Sequence, residues 1–551
     1  MESENRREVI EQVVVTAEQM RQIEGRIFEA GMPVAALMEK VAGLITRYIQ
    51  NLYPWAENRR VGVLVGPGHN GGDGLVVARE LYLQGYEIHI YLPFSKLKEL
   101  TNYHAQYAVS LGIPFYEEIE PLYECDLIID GLFGFGLTRS LSGSIAEAVE
   151  LLNQWSQPVV SIDLPSGLHT DTGEVLGIAV RATRTLCLGL WKLGFLQDQG
   201  LDYIGEAELI DFGIPLKDIW SILGEPPDLV RVTKTVAKQF LPLPRPKVTH
   251  KYQQGHLLLI CGSKQYSGAA ILAGLGARAS GVGMLSMAVP ESIKLLVVSH
   301  LPEAVVIGCP ETTAGAIALL PELVLEKLHQ PFGSDQASNQ TYNAIAESGA
   351  SPIGKAPLSA IACGPGLTKD AKDLVQGVLA AQCPIVLDAD GLNILAELIT
   401  IPTLLKRRGQ TVLTPHVGEF RRLFPDSAEL LPDRVQAVQK ASQLSRSVVL
   451  LKGARSAIAN PMGSVWLIPE STPALARGGS GDVLTGLVGG LMAQPVLSEH
   501  PLEAIVATAA WWHAQAGILA AQERSELGVD GGTLADFLMT SVNKLNLKLS
   551  L

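Results

Sequence analysis

Short apolar runs alternate with helix-length amphipathic stretches along most of the chain. In the first half the runs are VGVLV (61–65), EIHIYL (87–92), DLIID (126–130), PVVSID (158–163), TLCLGL (185–190) and AELID (207–211). Strands spaced in this way by helix-length segments predict a parallel sheet with helices on both faces. Ahead of them, Thr16 followed by Gln19 reads as a capping box that opens one helix. A second helix follows Pro33, with apolar residues at Val34, Leu37, Met38, Val41 and Leu44. The alternation weakens in GIPLKDIWSILGEPPDL, and LPLPRPKVTHKY then concentrates prolines and basic residues. It restarts in HLLLIC, MLSMAV, EAVVIG, SAIAC, PIVLD, TVLT and VVLL. This predicts a boundary near residue 222, dividing the chain into domains 1–221 and 222–551, with the proline-rich stretch leading into the second. No short-period repeat relates the halves. The expected fold class is α/β, in two different domains.

Composition narrows the function. A chain of 551 residues is too long for one core, and 47% hydrophobic against 18% charged residues is enough to fill two. The net charge of −13, from 43 basic and 56 acidic residues with no basic stripe, argues against nucleic acid as a partner. Six scattered cysteines without a CxxC pair read as reduced, buried hydrophobes. The N-terminal MESENRREVIEQ is charged and lacks the apolar core of a signal peptide. The longest apolar candidate, Val483 to Leu497, is short and contains Gln494, so it reads as a core helix rather than a membrane span. A cytoplasmic protein with no membrane partner is expected.

Three strand ends in the first half carry chemistry. Gly66-x-Gly68-x-x-Gly71 follows an apolar run and opens a helix pattern, as in a dinucleotide fingerprint. Two features depart from that fingerprint. The second run ends in Pro93, Phe94, Ser95 and Lys96 instead of the carboxylate that would bind a ribose, and Asp73 sits where it would repel a pyrophosphate. The plain reading of Asp73 is a helix N-cap. Asp130, before a second glycine loop, and Asp163 with Ser166 close the next two runs. Ligands of open parallel sheets bind at such strand ends, and Asn70, Asp130 and Ser166 are hard oxygen donors that suit a cation able to offset the carboxylates.

The motifs GHNGGDG, DGLFGFGL and DLPSG resemble those of the NAD(P)H-hydrate epimerase domain, over roughly residues 10 to 215. The resemblance implies a Rossmann-like three-layer sandwich with potassium on Asn70, Asp130 and Ser166. It implies that the hydrated nicotinamide nucleotide, NADH or NADPH, is held by His69, Asn70, Gly71, Gly72 and Asp73, by Gly134, Phe135, Gly136, Leu137, Thr138, Arg139 and Ser140, and by Asp163. Epimerising a hydroxyl-bearing carbon requires opening and re-closing there with a proton relay nearby, and Asp163 is the candidate acid/base.

The second half carries one decoy and one stronger feature. Gly349-x-x-x-x-Gly354-Lys355 nearly matches a phosphate-binding loop, but Ala356 replaces the magnesium-binding hydroxyl and no apolar strand feeds it. In ALARGGSGDVLTGLVGGLMAQ, by contrast, glycines precede an apolar helix with Asp482 in its first turn. Free N–H groups at a helix start form an anion hole, and a carboxylate there can take a proton from an attacking hydroxyl. A glycine-softened N-cap is the plain alternative.

With ACGPGL, VLDADGLNIL, LTPHVGEFRRL and LLKGARS, this segment resembles ADP- or ATP-dependent NAD(P)H-hydrate dehydratase of ribokinase-like fold, over roughly residues 235 to 545. The resemblance implies ADP on Lys452, Gly453, Ala454, Arg455 and Ser456 and on the Thr472 to Gly481 segment, with Thr472, Arg477, Gly478, Gly479, Ser480 and Gly481. It places the hydrated nucleotide on Gly366, on Pro415, His416, Val417, Gly418, Glu419, Phe420 and Arg421, and on the base Asp482, with magnesium as cofactor. Asp388 and Asp390 read either as strand-end caps or as magnesium ligands. The implied whole is a homo-oligomeric bifunctional enzyme that interconverts R and S hydrated NAD(P)H and dehydrates the S form, converting ADP to AMP and phosphate. The alternatives are a vitamin-alcohol kinase in the second domain and a non-catalytic nucleotide sensor in the first.

Overall fold

The computed structural model describes residues 2–328 and 357–544, and the near-match at Gly349 to Lys355 lies outside them. The chain divides into two compact units, Met1–Val230 and Arg231–Leu551. The break falls after the expected residue 222 because the helix Leu216–Leu223 belongs to the first core, in which Ile219 is fully buried.

The first unit is built on seven strands: β1 (Arg60–Val65), β2 (Glu87–Tyr91), β3 (Phe115–Tyr116), β4 (Leu127–Gly131), β5 (Val159–Ile162), β6 (Arg184–Leu188) and β7 (Glu206–Ile210). Their spatial order is β3-β2-β1-β4-β5-β6-β7 and every pairing is parallel. The order reverses between β1 and β4, and there the glycine loop and the Asp130 loop leave the sheet side by side. Two glycines of the fingerprint are demanded by contact. A Cβ on Gly66 would lie 1.6 Å from the carbonyl oxygen of Leu132, and one on Gly71 would lie 1.9 Å from that of Gly66. The expected capping box is present: Gln19 N–H donates to Thr16 Oγ1 and Thr16 N–H to Gln19 Oε1, opening the helix Ala17–Glu29. Ala17 N–H donates to Asp171 at 2.7 Å, which fixes the start of that helix against a neighbouring loop. The helix after Pro33 runs Val34–Leu52.

The second unit adds β8 (Leu229–Arg231), which straddles the division, then β9 (His256–Ile260), β10 (Met284–Pro290), β11 (Val305–Cys309), β12 (Ala360–Cys363), β13 (Ile385–Leu387), β14 (Thr411–Leu413), β15 (Val448–Leu451), β16 (Ala457–Ala459) and β17 (Val465–Leu467). The order is β8-β17-β16-β15-β14-β13-β12-β9-β10-β11, parallel from β15 through to β11, with β16 and β17 antiparallel at one side. Here the order reverses between β9 and β12. The helices Ser267–Ser280 and Ser480–Met492 pack backbone to backbone, since a Cβ on Gly486 would meet Ala273 O at 1.8 Å and one on Gly276 would meet Val483 O at 2.0 Å. That approach anchors the helix whose first turn carries Asp482. The six cysteines are free and buried, as expected.

One helix escaped the hydropathy reading. Leu502–Arg524 is long and apolar enough to cross a membrane, but 83% of its most apolar stretch is buried inside the protein. Its apolarity serves packing on all sides rather than a lipid contact.

Candidate active sites

In the first unit, a cleft of about 640 Å³ opens at the strand ends where β1, β4 and β5 finish, lined on one side by the helices Ala17–Glu29 and Val34–Leu52. From the glycine-loop helix it is lined by His69, Asn70 and Asp73, from the second loop by Gly134, Phe135, Gly136, Leu137 and Arg139, and from the end of β5 by Asp163. Gly71 and Gly72 are buried beneath the loop, while Thr138 and Ser140 are exposed beyond it.

Asp130 and Ser166 form a buried knot under the floor. One Asp130 oxygen accepts from Ser166 Oγ (2.6 Å) and Leu132 N–H (3.2 Å), the other from Ser161 Oγ (2.9 Å) and Ser166 N–H (2.9 Å). Burial pushes the Asp130 carboxyl up, and these four donors oppose that shift without cancelling it. Asn70 completes the trio expected to bind a cation, and its buried Nδ2 has no hydrogen-bond partner.

Asp163 sits in the left-handed region, at φ 69°. Its Oδ1 accepts from Lys192 Nζ at 2.5 Å and Leu188 N–H at 3.3 Å, and its Oδ2 accepts from Phe135 N–H at 2.8 Å. Lys192 is fully buried and also donates to Leu188 O. Desolvation pulls the Lys192 ammonium towards neutrality, but Asp163 with its neighbours outweighs it and the net shift is upward. Lys192 was missed in the sequence, where it stands in an apolar stretch with no motif to mark it. Glu24, facing the cleft from the Ala17–Glu29 helix, was missed as well.

Asp73 is not a cap. The helix runs His69–Leu83 from an N-cap at Gly68, so Asp73 lies a full turn inside. It faces the cleft, where burial, then Asp163 and Glu24, push its carboxyl well above the usual range. The upward shift favours the uncharged form of the carboxyl, which weakens the repulsion of an anionic ligand beside the glycine loop.

In the second unit the candidate residues collect where β13, β14 and β15 end. Asp388, which follows β13, accepts from Lys452 Nζ at 2.7 Å and from Thr485 Oγ1 at 2.5 Å. Lys452 also stands 4.0 Å from Glu419. Asp482 lies in the first turn of Ser480–Met492, after an N-cap at Gly479 with φ 95°. Among the described residues no backbone hydrogen bond engages the Gly481 or Asp482 N–H groups. Burial, then Asp388, pushes the Asp482 carboxyl up to about 7, against the opposing pull of Lys452. Asp390 accepts from Thr368 N–H at 2.9 Å, beside Gly366 at the point where the sheet order reverses.

The loop Lys452 to Ser456 is strapped by Arg434, whose guanidinium donates to the carbonyls of Leu451, Lys452 and Arg455 at 3.0–3.1 Å. His416 caps the helix Val417–Leu423: its Nδ1 accepts from Gly418 N–H at 2.9 Å, while Glu419 accepts from His416 N–H. Three expected contacts point away from the site. Phe420 is fully buried against Phe424, Ser480 Oγ meets the buried His513 Nε2 at 3.2 Å, and Arg477 donates to Leu527 O and Val529 O. Burial pushes His513 down to about 4. Such orientations depend on residues far off in the chain.

Two α/β units, each with carboxylates and glycine loops at the ends of parallel strands, define a two-site nucleotide enzyme. Residues 257–539 match the family described as NAD(P)H-hydrate dehydratase, and residues 34–194 match the YjeF-related protein N-terminus. The bifunctional NAD(P)H-hydrate repair enzyme Nnr of Synechocystis sp. is 53% identical over 526 residues, covering 96% of this chain and 94% of its own. That of Thermosynechococcus vestitus is 50% identical over 533 residues, covering 96% and 97%. A solved ADP/ATP-dependent NAD(P)H-hydrate dehydratase from Bacillus subtilis, co-crystallised with ATP and Mg²⁺, is 29% identical, covering 57% of this chain and 98% of its own at a TM-score of 0.44. The chain belongs to the bifunctional NAD(P)H-hydrate repair enzymes.

Proposed function

We propose that the first unit interconverts the R and S epimers of hydrated NADH and NADPH, and that the second dehydrates the S epimer, converting ADP to AMP and phosphate. The observation that carries the dehydratase reading is Asp482, a half-buried carboxyl at a helix start beside two backbone N–H groups that no described residue engages.

Asp482 takes the proton of the extra ring hydroxyl as that oxygen attacks the terminal phosphorus of the nucleotide. The Gly481 and Asp482 N–H groups hold the oxygens of the transferring phosphoryl group, where the positive end of the helix adds to the attraction. Phosphate is a good leaving group where hydroxide is not. It departs with the C–O bonding pair, the neighbouring ring carbon loses a proton, and the ring double bond returns. Lys452 spans Asp388 and Glu419. Because Asp388 is already bonded to Lys452 and Thr485, magnesium would rest chiefly on the nucleotide's own phosphates, with charge neutralisation as its contribution.

In the first unit, Asn70, Asp130 and Ser166 would hold potassium. The side-chain oxygens of Asn70 and Ser166 and the buried Asp130 carboxyl are hard donors of the kind a cation of low charge density takes. Its chemistry there would be to offset negative charge next to the nucleotide. Asp163, fixed by Lys192, would contact the nicotinamide ring.

The test supplies purified full-length protein with a mixture of hydrated NADPH epimers and follows the return of NADPH absorbance. Complete recovery with ADP is the expected outcome. Recovery that halts after one epimer, beyond its spontaneous exchange, removes the epimerase. A stable phosphorylated alcohol in place of NADPH and phosphate replaces the dehydratase with a kinase.

A further inference from the structure

Glu24, Asp73 and Asp163 all line the N-terminal cleft, but they are held differently. Asp163 accepts three hydrogen bonds, one of them from an ammonium. Among the described residues no side chain or N–H group donates to the carboxylate of Glu24 or to that of Asp73. Asn70 brings to the same cleft a buried amide nitrogen with no partner. Glu24, Asp73 and Asn70 thus bring polar atoms without a protein partner among the described residues to the lining of this cleft. Burial is the main cause that pushes Glu24 up to about 7, helped by Asp163 and opposed by Lys192 and Arg21. A carboxylate whose lone pairs are taken can orient a ligand, whereas an unbonded one can exchange a proton with it.

Inverting a hydroxyl-bearing carbon bonded to a ring nitrogen requires two proton transfers each way. On opening, the hydroxyl proton goes to a base as the C=O bond forms. The electrons of the breaking C–N bond pass to the ring nitrogen, which takes a proton from an acid. Rotation about the adjacent C–C bond presents the other face of the carbonyl. On closing, the nitrogen attacks that face and returns its proton, and the oxygen recovers the other. Nothing is oxidised or consumed, but two proton carriers are needed at once.

We propose that Glu24 and Asp73 are these carriers, Glu24 as the base for the hydroxyl and Asp73 as the acid for the ring nitrogen, with Asp163 and Lys192 as positioning residues. This rests on the epimerase reading above. Burial pushes both carboxyls upward, Glu24 to about 7 and Asp73 in the same direction, which favours groups that hold and release a proton. The charged groups facing Glu24 are Arg21 on its own helix, Lys192 and Asp163 from the strand ends, and Asp73 from the glycine-loop helix. Glu24 precedes the matched family segment at 34–194, so family motifs give no hint of it.

The experiment follows exchange from one purified epimer of hydrated NADPH by the full-length chain without nucleotide, which leaves the dehydratase silent. Glu24→Gln is expected to lower the exchange kcat about 100-fold or more while KM stays within about threefold. It is also expected to abolish the limb of the wild-type pH profile that rises towards about 7. Glu24→Asp should restore part of the rate, and Asp73→Asn should remove the limb that falls at higher pH. Wild-type kcat and pH profile in Glu24→Gln overturn the proposal while the epimerase reading stands. A wild-type chain with no exchange above the spontaneous rate overturns both. Should Glu24→Gln melt well below wild type, Glu24→Asp decides, since an unaltered pH profile there also overturns the proposal.

Discussion

The two sites share one arrangement and put it to different uses. Each pairs a buried aspartate with a lysine, Asp163 with Lys192 and Asp388 with Lys452. Each sets beside that pair carboxylates that accept no hydrogen bond among the described residues and whose pKa is pushed upward, Glu24 and Asp73 in one and Asp482 in the other. The difference lies in what faces the unbonded carboxylates. Asp482 adjoins two N–H groups at a helix start that no described residue engages, which suits a phosphoryl group. Glu24 and Asp73 line one cleft together, which suits moving two protons on a ring. The ion pair keeps a charge in place, and the surroundings of the unbonded acid decide the chemistry.

The sharpest break of that comparison is Asp482→Asn. It should lower the dehydratase kcat about 1,000-fold, or about 4 kcal/mol of barrier, while epimer exchange stays unchanged. The same base predicts the pH dependence. It must be ionised to work, and burial raises its pKa, so wild-type kcat/KM should rise tenfold per pH unit up to about 7 and level off above. A limb in the ordinary carboxylate range near 4 would show that another group is the base.

Next in size is the ion pair itself. Lys192→Met leaves Asp163 buried without its cation and should cost the first unit about 3 kcal/mol in urea unfolding. Lys452→Met should cost less, about 1 kcal/mol, because the Lys452 side chain is 22% exposed and Asp388 keeps the Thr485 hydroxyl. Equal losses would mean that the two pairs are not differently buried in solution. The smallest effect belongs to the cap of the helix that carries Glu24. Thr16→Ala should cost about 1 kcal/mol and lower the melting temperature without altering the dehydratase pH profile.

By itself the sequence determined what depends on near neighbours along the chain. The Thr16 and Gln19 box, the glycine loop and the placement of Asp130, Asp163 and Asp482 at element ends were all readable, because strand periodicity and capping act over a few residues. The alternation of runs also implied two parallel sheets, and a parallel sheet sends its loops to one edge. Only the tertiary structure decided which side chains meet there. Lys192 joins Asp163 from 29 residues away, Thr485 joins Asp388 from 97, and Ser480 turns inward to His513 from 33. It also decided that Asp73 lies inside a helix rather than at its cap. Above all it set the charge states, since desolvation depends on how far a carboxyl is carried from water and on which charges the fold brings near it, and a list of residues holds neither quantity.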